Sequence, residues 1–390
     1  MLLKQHSRLD KKIVLQILCA FLWISLFIFV NGYFLDLTNK TINNFFYVGI
    51  GFLGLLTLFL FYREDKEVVF SLLLFLLPML ALSLMEWELS GYKIPIYLCL
   101  FLVGCFVFSK NKFFKSVYLA SFLLAFCISV YIIFDWFLIW GETGKFIRYA
   151  NWLGEYYHPG FFSMLLCFIF LMFFDQYFLN KIDKNKSILV FLAVFIFFAY
   201  VAFLGVIFQS RTALLGVLAY FIGFAIYKKT YLYFFVIFLI VCAALYFTEI
   251  GDLVANRGAS HRTVIWKEVW FDYINNCNYF VGCAPMKNIL GQFAHPHNIY
   301  LSILHNTGII GAILFLLFFT PLIYMIFKYK PQWGLLVFYA LPTILTESET
   351  LFAGNSELWV YFWLPILMCM VGLQRPIFEQ YKLAKAKLLS

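Results

Sequence analysis

The polar residues of this sequence that could take part in a reaction are few, and they stand at the ends of long apolar segments. Arg211 is the first of them and lies in the sequence QSRT between two apolar runs. With almost no loop around it, its guanidinium has to lie at a membrane boundary. Two interpretations stay open: the side chain extends to lipid headgroups, or it binds an anion there.

A second candidate group surrounds a helix that we predict from His261 to Trp270, with Ser260 as its N-cap. Arg257 and Arg262 would then crowd the positive end of the helix dipole, where a cation is mildly unfavourable and a bound anion is favoured. A solvated arginine on an exposed helix is the alternative. The predicted apolar face of this helix could lie on the membrane interface or pack on the bundle, and it consists of Ile265, Trp266, Val269, Trp270 and Tyr273.

The third candidate is a histidine motif at the start of an apolar segment that begins near position 297. His297 is predicted in the first turn of that helix, where the dipole favours a neutral ring that can accept a proton. His305 lies two turns further along and is interpreted as a buried hydrogen-bonding residue. Gly308 and Gly311 would allow a neighbouring helix to approach closely. His295 and His297 lack a third nearby ligand, so their spacing argues only weakly for a metal.

The elements that position these residues are membrane helices. Of the 390 residues, 64% are hydrophobic and only 13% are charged, which excludes a soluble enzyme and a disordered adaptor. Hydropathy predicts an all-α, polytopic integral membrane protein with about twelve transmembrane helices in a single membrane domain, 1–390. The predicted spans are 13–31, 45–62, 68–85, 94–109, 116–140, 159–174, 187–208, 212–227, 231–248, 297–327, 333–345 and 358–373.

The distribution of charge predicts the orientation. With the N-terminus in the cytoplasm, most of the 29 Lys and Arg residues fall in cytoplasmic loops, and the C-terminus is cytoplasmic as well. The net charge of +9 is therefore topological, and we expect membrane lipids but no nucleic acid as partners. The apolar run from Ile13 is predicted to be an uncleaved first helix.

The external segment 249–296 is the one outer loop long enough to form a structured lid, and it contains the short amphipathic helix described above. Cys277 and Cys283 lie in this segment, whereas the other seven of the nine cysteines fall in predicted spans. If the loop faces an oxidising periplasm, a disulfide between Cys277 and Cys283 is a candidate pairing.

These motifs resemble those of bacterial O-antigen ligases, members of the O-antigen ligase and polymerase family. His297-Asn298, nine residues, Gly308, two residues and Gly311 match the histidine motif of these enzymes in residue types and spacing. Arg211 fits a family arginine in a Ser/Thr-Arg-Thr/Ala context, and Arg262 fits a second arginine at the start of a periplasmic helix. The resemblance covers the chain from about Ser187 to its end, and before that only the topology is shared.

The resemblance implies an inner-membrane glycosyltransferase, class C-like in fold, with one larger periplasmic loop and its active site facing the periplasm. It would transfer a glycan from undecaprenyl pyrophosphate to a hydroxyl of the lipid A core. His297 would be the general base, and Arg211 and Arg262 would stabilise the departing pyrophosphate. Arg257, Asn298 and Glu347 are candidate substrate-binding residues. No cofactor is implied.

Three alternatives remain at this stage. The acidic sequences EWE, from Glu86, and ESE, from Glu347, could hold a divalent metal. Two arginines are already available to neutralise the charge of the pyrophosphate, which argues against this alternative. An O-antigen polymerase would use the same donor with a different acceptor. A lipid or solute transporter is a remoter alternative, suggested by the prolines in spans. These prolines are Pro78, Pro95, Pro321, Pro342 and Pro365.

Overall fold

The structure is a computed structural model that describes residues 2–86, 93–152, 155–182, 188–229, 262–284, 289, 296–345, 350–352 and 357–389. Regular secondary structure in these ranges is helical, apart from isolated bridges and a hairpin of two-residue strands, Asn151–Trp152 and Glu155–Tyr156. The prediction of an all-α protein is therefore confirmed. Long apolar helices of this kind make the chain a multi-pass membrane protein.

The helices are numbered here in chain order, and a short helix, Leu179–Ile182, is left unnumbered. The first half of the chain contains α1 (Leu2–Asn31), α2 (Asn39–Phe61), α3 (Lys66–Met85), α4 (Ile94–Lys110), α5 (Lys115–Thr143) and α6 (Pro159–Tyr177). The second half contains α7 (Ile188–Ile207), α8 (Arg211–Lys228), α9 (Arg262–Asn276), α10 (Ile299–Tyr329), α11 (Gly334–Thr343), α12 (Trp359–Gly372) and α13 (Gln374–Leu389).

Within the described ranges, 7 helices are long and apolar enough to cross a membrane, and 8 if the bent pair α12 and α13 forms one span. The predicted spans 94–109, 187–208 and 333–345 correspond to α4, α7 and α11, whose apolar parts are shorter. At 1.5 Å per residue the ten residues of α11 reach only about 15 Å, half of a bilayer core. The predicted span 231–248 lies outside the described residues, so twelve spans stay a prediction.

The centre of the bundle is α6, whose residues from Phe162 to Met172 are buried throughout. It contacts α5, α7, α8 and α11, so it is shielded from lipid on most sides. The pair α8 and α11 runs antiparallel. A Cβ at Gly216 would lie 2.8 Å from Thr343, and one at Gly223 would lie 3.0 Å from Phe338, so these glycines let the two helices touch.

The helix α10 runs parallel to α8. Near their C-termini, the Tyr227 hydroxyl donates to the Ile326 carbonyl at 2.9 Å, and Lys330 Nζ donates to the Tyr227 carbonyl at 2.8 Å. At the other end, the Ile299 N–H donates to the Ile344 carbonyl, just beyond α11. The N-termini of α8 and α10 therefore lie at one end of the bundle, which we call the histidine end.

The opposite end is rich in lysine, and we call it the lysine end. Lys228 Nζ donates to the Leu179 carbonyl at 2.9 Å, and the hydroxyl of Tyr177, close by in the chain, donates to the Lys115 carbonyl at 2.6 Å. Lys330 joins them through Tyr227. Lysines from three different parts of the chain, Lys115, Lys228 and Lys330, thus lie at this end of the bundle.

Candidate functional site

The helix α10 is broken at Gly308, which has φ +63° and ψ −160°. The N–H groups of Ile309 and Ile310 begin the second part of the helix and lose their helical acceptors at the break. They donate instead to the carbonyls of Tyr279 and Phe280, at 2.9 and 3.1 Å. A loop between α9 and α10 therefore caps a membrane helix in mid-course.

The same loop also bonds to the first part of α10. The N–H of Cys283 donates to the His305 carbonyl at 2.7 Å, and a Cβ at Gly282 would lie 2.5 Å from the backbone of His305 and Asn306. A Cβ at Gly308 would lie 2.5 Å from the Phe280 carbonyl. The expectation that Gly308 admits a neighbouring helix is wrong, because what it admits is this loop.

Gly311 behaves as the sequence predicts. A Cβ at this position would lie 3.0 Å from Leu82 of α3, so the glycine does allow a neighbouring helix to approach. It would also lie 1.7 Å from the Thr307 hydroxyl on the preceding turn. The two glycines of the motif thus have different structural roles. Gly308 lies at a helix break, and Gly311 lies at a contact between two helices.

The loop that fills the break is closed by a disulfide between Cys277 and Cys283, whose Cα atoms are 5.0 Å apart. The pairing suggested by the sequence is therefore present in the structure. Inside the ring, Asn278 and Gly282 form an isolated antiparallel bridge, and the Asn278 side chain accepts from the Phe280 N–H at 2.9 Å. The disulfide holds the two capping carbonyls in a compact hairpin.

The part of α10 beyond the break is long enough to cross a bilayer by itself. From Ile310 to Tyr329 it has 20 residues and is about 30 Å long, which equals the thickness of the hydrocarbon core. The first part of α10, His297 and the disulfide loop are therefore not needed to span the hydrocarbon. A position in the headgroup region would allow polar chemistry there without the cost of burying charge in lipid.

His305 lies on the first part of α10 and is 2% exposed. Its Nε2 is 2.9 Å from Asp272 Oδ2, so the ring donates to the carboxylate of α9. This hydrogen bond lowers the pKa of Asp272, and a second one from Asn276 adds to the effect. The interpretation of His305 as a buried hydrogen-bonding residue is confirmed, whereas Asp272 was missed because its partner is 33 residues away.

His297 precedes the helix and does not lie in its first turn. Asn298 is the N-cap, and its Oδ1 accepts from the Leu301 N–H at 3.1 Å. His297 has φ +51°, a left-handed conformation that is uncommon for residues other than glycine, although asparagine, aspartate and histidine adopt it more often than the rest. Such strain tends to occur at functional positions, since the surrounding structure has to enforce it. The ring is half-buried beside the capped helix end.

Arg262 begins α9 and is tied to the same place. Trp266, one turn later, donates from its Nε1 to the Pro296 carbonyl at 3.0 Å, and Asp272 meets His305 further along. Trp266 thus contacts position 296 and Asp272, later in α9, contacts position 305, later in α10. The helix α9 therefore runs parallel to the first part of α10. Its N-terminus, with Arg262, therefore lies at the histidine end, as His297 does.

The buried face of α9 is narrower than predicted. Ile265 and Val269 are each 1% exposed and pack with Ile289, while Tyr273 is also buried. Trp270 is 46% exposed, so it does not belong to the part of the predicted apolar face that packs on the protein. With 3.6 residues per turn, position 270 lies too far around the helix once 265, 269 and 273 face inward.

Arg211 is the first residue of α8 and lies at the histidine end. The Ser210 hydroxyl caps this helix by accepting from the Ala213 N–H at 3.3 Å, and Gln209 before it has φ +47°. The start of α8 thus repeats the arrangement at α10: a left-handed residue, a polar N-cap, then the helix. The half-buried Arg211 occupies the turn where an anion is most favoured.

Another arginine approaches the start of α8 from the loop after α5. Arg148 Nε donates to the carbonyl of Phe208 at 3.0 Å, three residues before Arg211. The neighbouring Tyr149 N–H donates to the Ile207 carbonyl at 3.2 Å. The sequence gives no reason to single out Arg148, since its contact with the turn before Arg211 joins residues 60 positions apart.

The acidic candidates are only partly described. Glu86 is 2% exposed and accepts a hydrogen bond from Thr350 across 264 residues of sequence. Burial raises its pKa to about 7, and the Thr350 bond partly offsets this. Arg257 and Glu347 lie outside the described residues, as do Ser260, His295 and the rest of the two acidic sequences.

The described geometry defines the coarse class of the protein as a polytopic α-helical membrane protein with a polar site at one end of its bundle. The N-termini of α8, α9 and α10 all lie at that end, and their dipoles together with two arginines would favour an anionic ligand. Comparison with protein-family models, with curated proteins and with solved structures finds no match to this chain.

Proposed function

We propose that the chain is an O-antigen ligase that transfers a glycan from undecaprenyl pyrophosphate to a hydroxyl of the lipid A core. The observation that supports this proposal is the location of Arg211, Arg262 and His297 at one end of the bundle, each at or just before a helix N-terminus. A lipid pyrophosphate needs cationic donors near the headgroup region, and a sugar acceptor needs a base beside them.

The reaction is a direct displacement that inverts the anomeric centre. His297 takes the proton of the acceptor hydroxyl as its oxygen bonds to the anomeric carbon. The bond from that carbon to the pyrophosphate oxygen breaks, and the electron pair leaves with undecaprenyl pyrophosphate. Arg211 and Arg262 stabilise the charge that develops on this leaving group, so the reaction needs no metal.

The other predicted residues have supporting roles in the proposal. The oxygen of the Asn298 amide caps α10, which leaves its nitrogen to donate to a sugar hydroxyl. Arg257 adds to the binding of the pyrophosphate, and Glu347 orients either His297 or the acceptor.

The proposal also requires that the histidine end face the periplasm and the lysine end face the cytoplasm, in a bacterial inner membrane. Lys267→Cys in α9 and Lys112→Cys at the lysine end are matched probes, because both positions are exposed. In intact spheroplasts an impermeant thiol reagent should label Lys267→Cys beyond the wild-type background, and Lys112→Cys only after lysis. The reverse pattern would contradict the orientation.

The central test is transfer by purified protein, from undecaprenyl-pyrophosphate glycan to lipid A core, in the presence of a chelator. Transfer under these conditions is expected, and a strict need for added divalent metal would move the charge-stabilising role to the acidic residues. Deletion of the gene distinguishes a ligase, whose acceptor is the lipid A core, from a polymerase, whose acceptor is a second lipid-linked glycan. Loss of all capped core with accumulated lipid-linked polymer indicates a ligase, whereas core that carries one repeat indicates a polymerase.

A further inference from the structure

Four side chains at the disulfide loop have the composition of a metal site. One ligand atom from each of Asp272, Cys277, Cys283 and His305 lies within 4.8 Å of all the others. His305 Nε2 is 2.9 Å from Asp272 Oδ2 and 3.7 Å from Cys277 Sγ. The four ligand atoms thus form one compact cluster, in which the two sulfur atoms are bonded to each other.

The two ligands that are not sulfur are oriented by further hydrogen bonds. His305 Nδ1 is 3.0 Å from Asn306 Oδ1, and the Asn306 amide nitrogen donates to the Ser302 hydroxyl at 3.1 Å. Asp272 Oδ1 accepts from the Asn276 amide at 2.7 Å. A neutral His305 that binds an ion through Nε2 carries its proton on Nδ1 and can donate it to Asn306, which is the kind of bond that histidine ligands of metals typically make through their second nitrogen.

We propose that the reduced form of this loop binds one zinc ion through Cys277, Cys283, His305 Nε2 and Asp272 Oδ2. Two thiolates, one imidazole and one carboxylate form a tetrahedral set that zinc accepts, with Zn–S distances of about 2.3 Å and Zn–N distances of about 2.0 Å. The proposal depends on this cluster alone and is independent of the glycosyltransferase assignment.

Zinc can replace the disulfide only after the disulfide has been reduced. A small dithiol transfers two electrons and two protons to the disulfide, which gives two cysteine thiols and the oxidised, cyclic dithiol. Zinc then binds the two thiolates, and two protons are released. Both cysteines are partly exposed, so a dithiol can reach them. Disulfide and zinc use the same sulfur atoms, and therefore the two states exclude each other.

Either state would hold the loop in the break of α10. The bonds from Ile309, Ile310 and Cys283 to their partners involve backbone atoms only, and they need the ring from 277 to 283 to stay closed. The disulfide closes it covalently, while zinc would close it through the sulfur atoms and attach it to His305 on α10 and Asp272 on α9. The break would thus stay capped when the disulfide is reduced.

The test uses the full-length protein in detergent. It is reduced with a phosphine, freed of reductant without oxygen, and titrated with zinc against a metallochromic competitor. We expect about one tightly bound zinc per chain in the reduced protein and none in the oxidised protein. Cobalt in place of zinc should give the absorption of tetrahedral thiolate coordination.

Two variants make the result specific. Asp272→Asn keeps the disulfide, so its folding is checked by melting of the oxidised form before reduction, and it should weaken zinc binding at least about tenfold. Cys127→Ser changes an exposed free cysteine elsewhere and should bind zinc as the parent does. Failure of the reduced parent to bind zinc, or equal binding by the oxidised parent, would overturn the proposal.

Discussion

The indole nitrogen of Trp266 donates a hydrogen bond to the carbonyl of Pro296, the residue before His297, at 3.0 Å. This bond joins the helix that starts at Arg262 to the strained turn that presents the histidine. It also helps to hold His297 in its left-handed conformation, since it fixes the peptide unit on the N-terminal side.

Removal of this bond should slow transfer. Trp266→Phe keeps an aromatic ring in the partly buried pocket but loses the N–H donor, so the turn at His297 loosens. A neutral hydrogen bond contributes about 0.5–1.5 kcal/mol, which predicts a loss of about two- to tenfold in kcat. Trp270→Phe, at an exposed position of the same helix, is the control and should leave the rate unchanged.

His297→Asn should abolish general-base catalysis without unfolding the protein. Asparagine tolerates the φ of +51° better than most residues, so the backbone cost of the change is small. We expect kcat to fall by about 10²–10⁴ while donor affinity stays within about twofold of the parent. His158→Asn, before α6 at the same end of the bundle, is the matched control. Full activity of His297→Asn would refute the assignment of the base.

Arg211→Lys should weaken donor binding although it keeps the charge. Lysine lacks the planar fork that grips two phosphate oxygens, and a charge-assisted bond contributes about 1.5–3 kcal/mol. The dissociation constant for undecaprenyl-pyrophosphate glycan should rise about tenfold or more, as measured by binding in detergent. Arg63→Lys at the opposite, lysine end should bind as the parent does. Equal affinity for both variants would leave Arg211 as a lipid-headgroup anchor.

Glu86 should make stability depend on pH. Its folded pKa of about 7 lies above its ordinary value of 4.5, so the folded state holds the proton more tightly than the unfolded state. Stability is therefore highest below about 4.5 and falls as the pH rises to about 7, by roughly 3 kcal/mol. Glu86→Gln should remove this slope and raise the melting midpoint at pH 8. An unchanged slope in the variant would show that Glu86 is ionised in the folded protein.

Gly308→Ala should destabilise the docked loop. The variant places a methyl group 2.5 Å from the Phe280 carbonyl and forces alanine to φ +63°, and both changes oppose capping of α10. The expected cost is above 1 kcal/mol, measured as a lower melting midpoint and faster proteolysis at the loop. Gly144→Ala is a milder control, because Gly144 has the same φ but a ψ of 7°, the ordinary left-handed helical conformation, and nothing lies within 4 Å of its Cβ position. A loss for Gly308→Ala no larger than that for Gly144→Ala would contradict the prediction.

The sequence by itself was sufficient for the membrane class and for most helix positions. These properties depend on composition and on the length of apolar runs, which hydropathy describes well. The pair Cys277 and Cys283 was also found in this way, because the two cysteines are close in the chain and both stand outside the predicted spans.

Only the tertiary structure decided how the site is assembled. The bond from Asp272 to His305, the approach of Arg148 to the start of α8 and the capping of α10 by Tyr279 and Phe280 all join segments that are distant in sequence. A helical pattern records which residues are apolar, but not which carbonyl will satisfy an N–H group freed by a break. From the sequence, Gly308 can be recognised only as a small residue in a helix. That a loop enters the helix at this position is visible only in the fold.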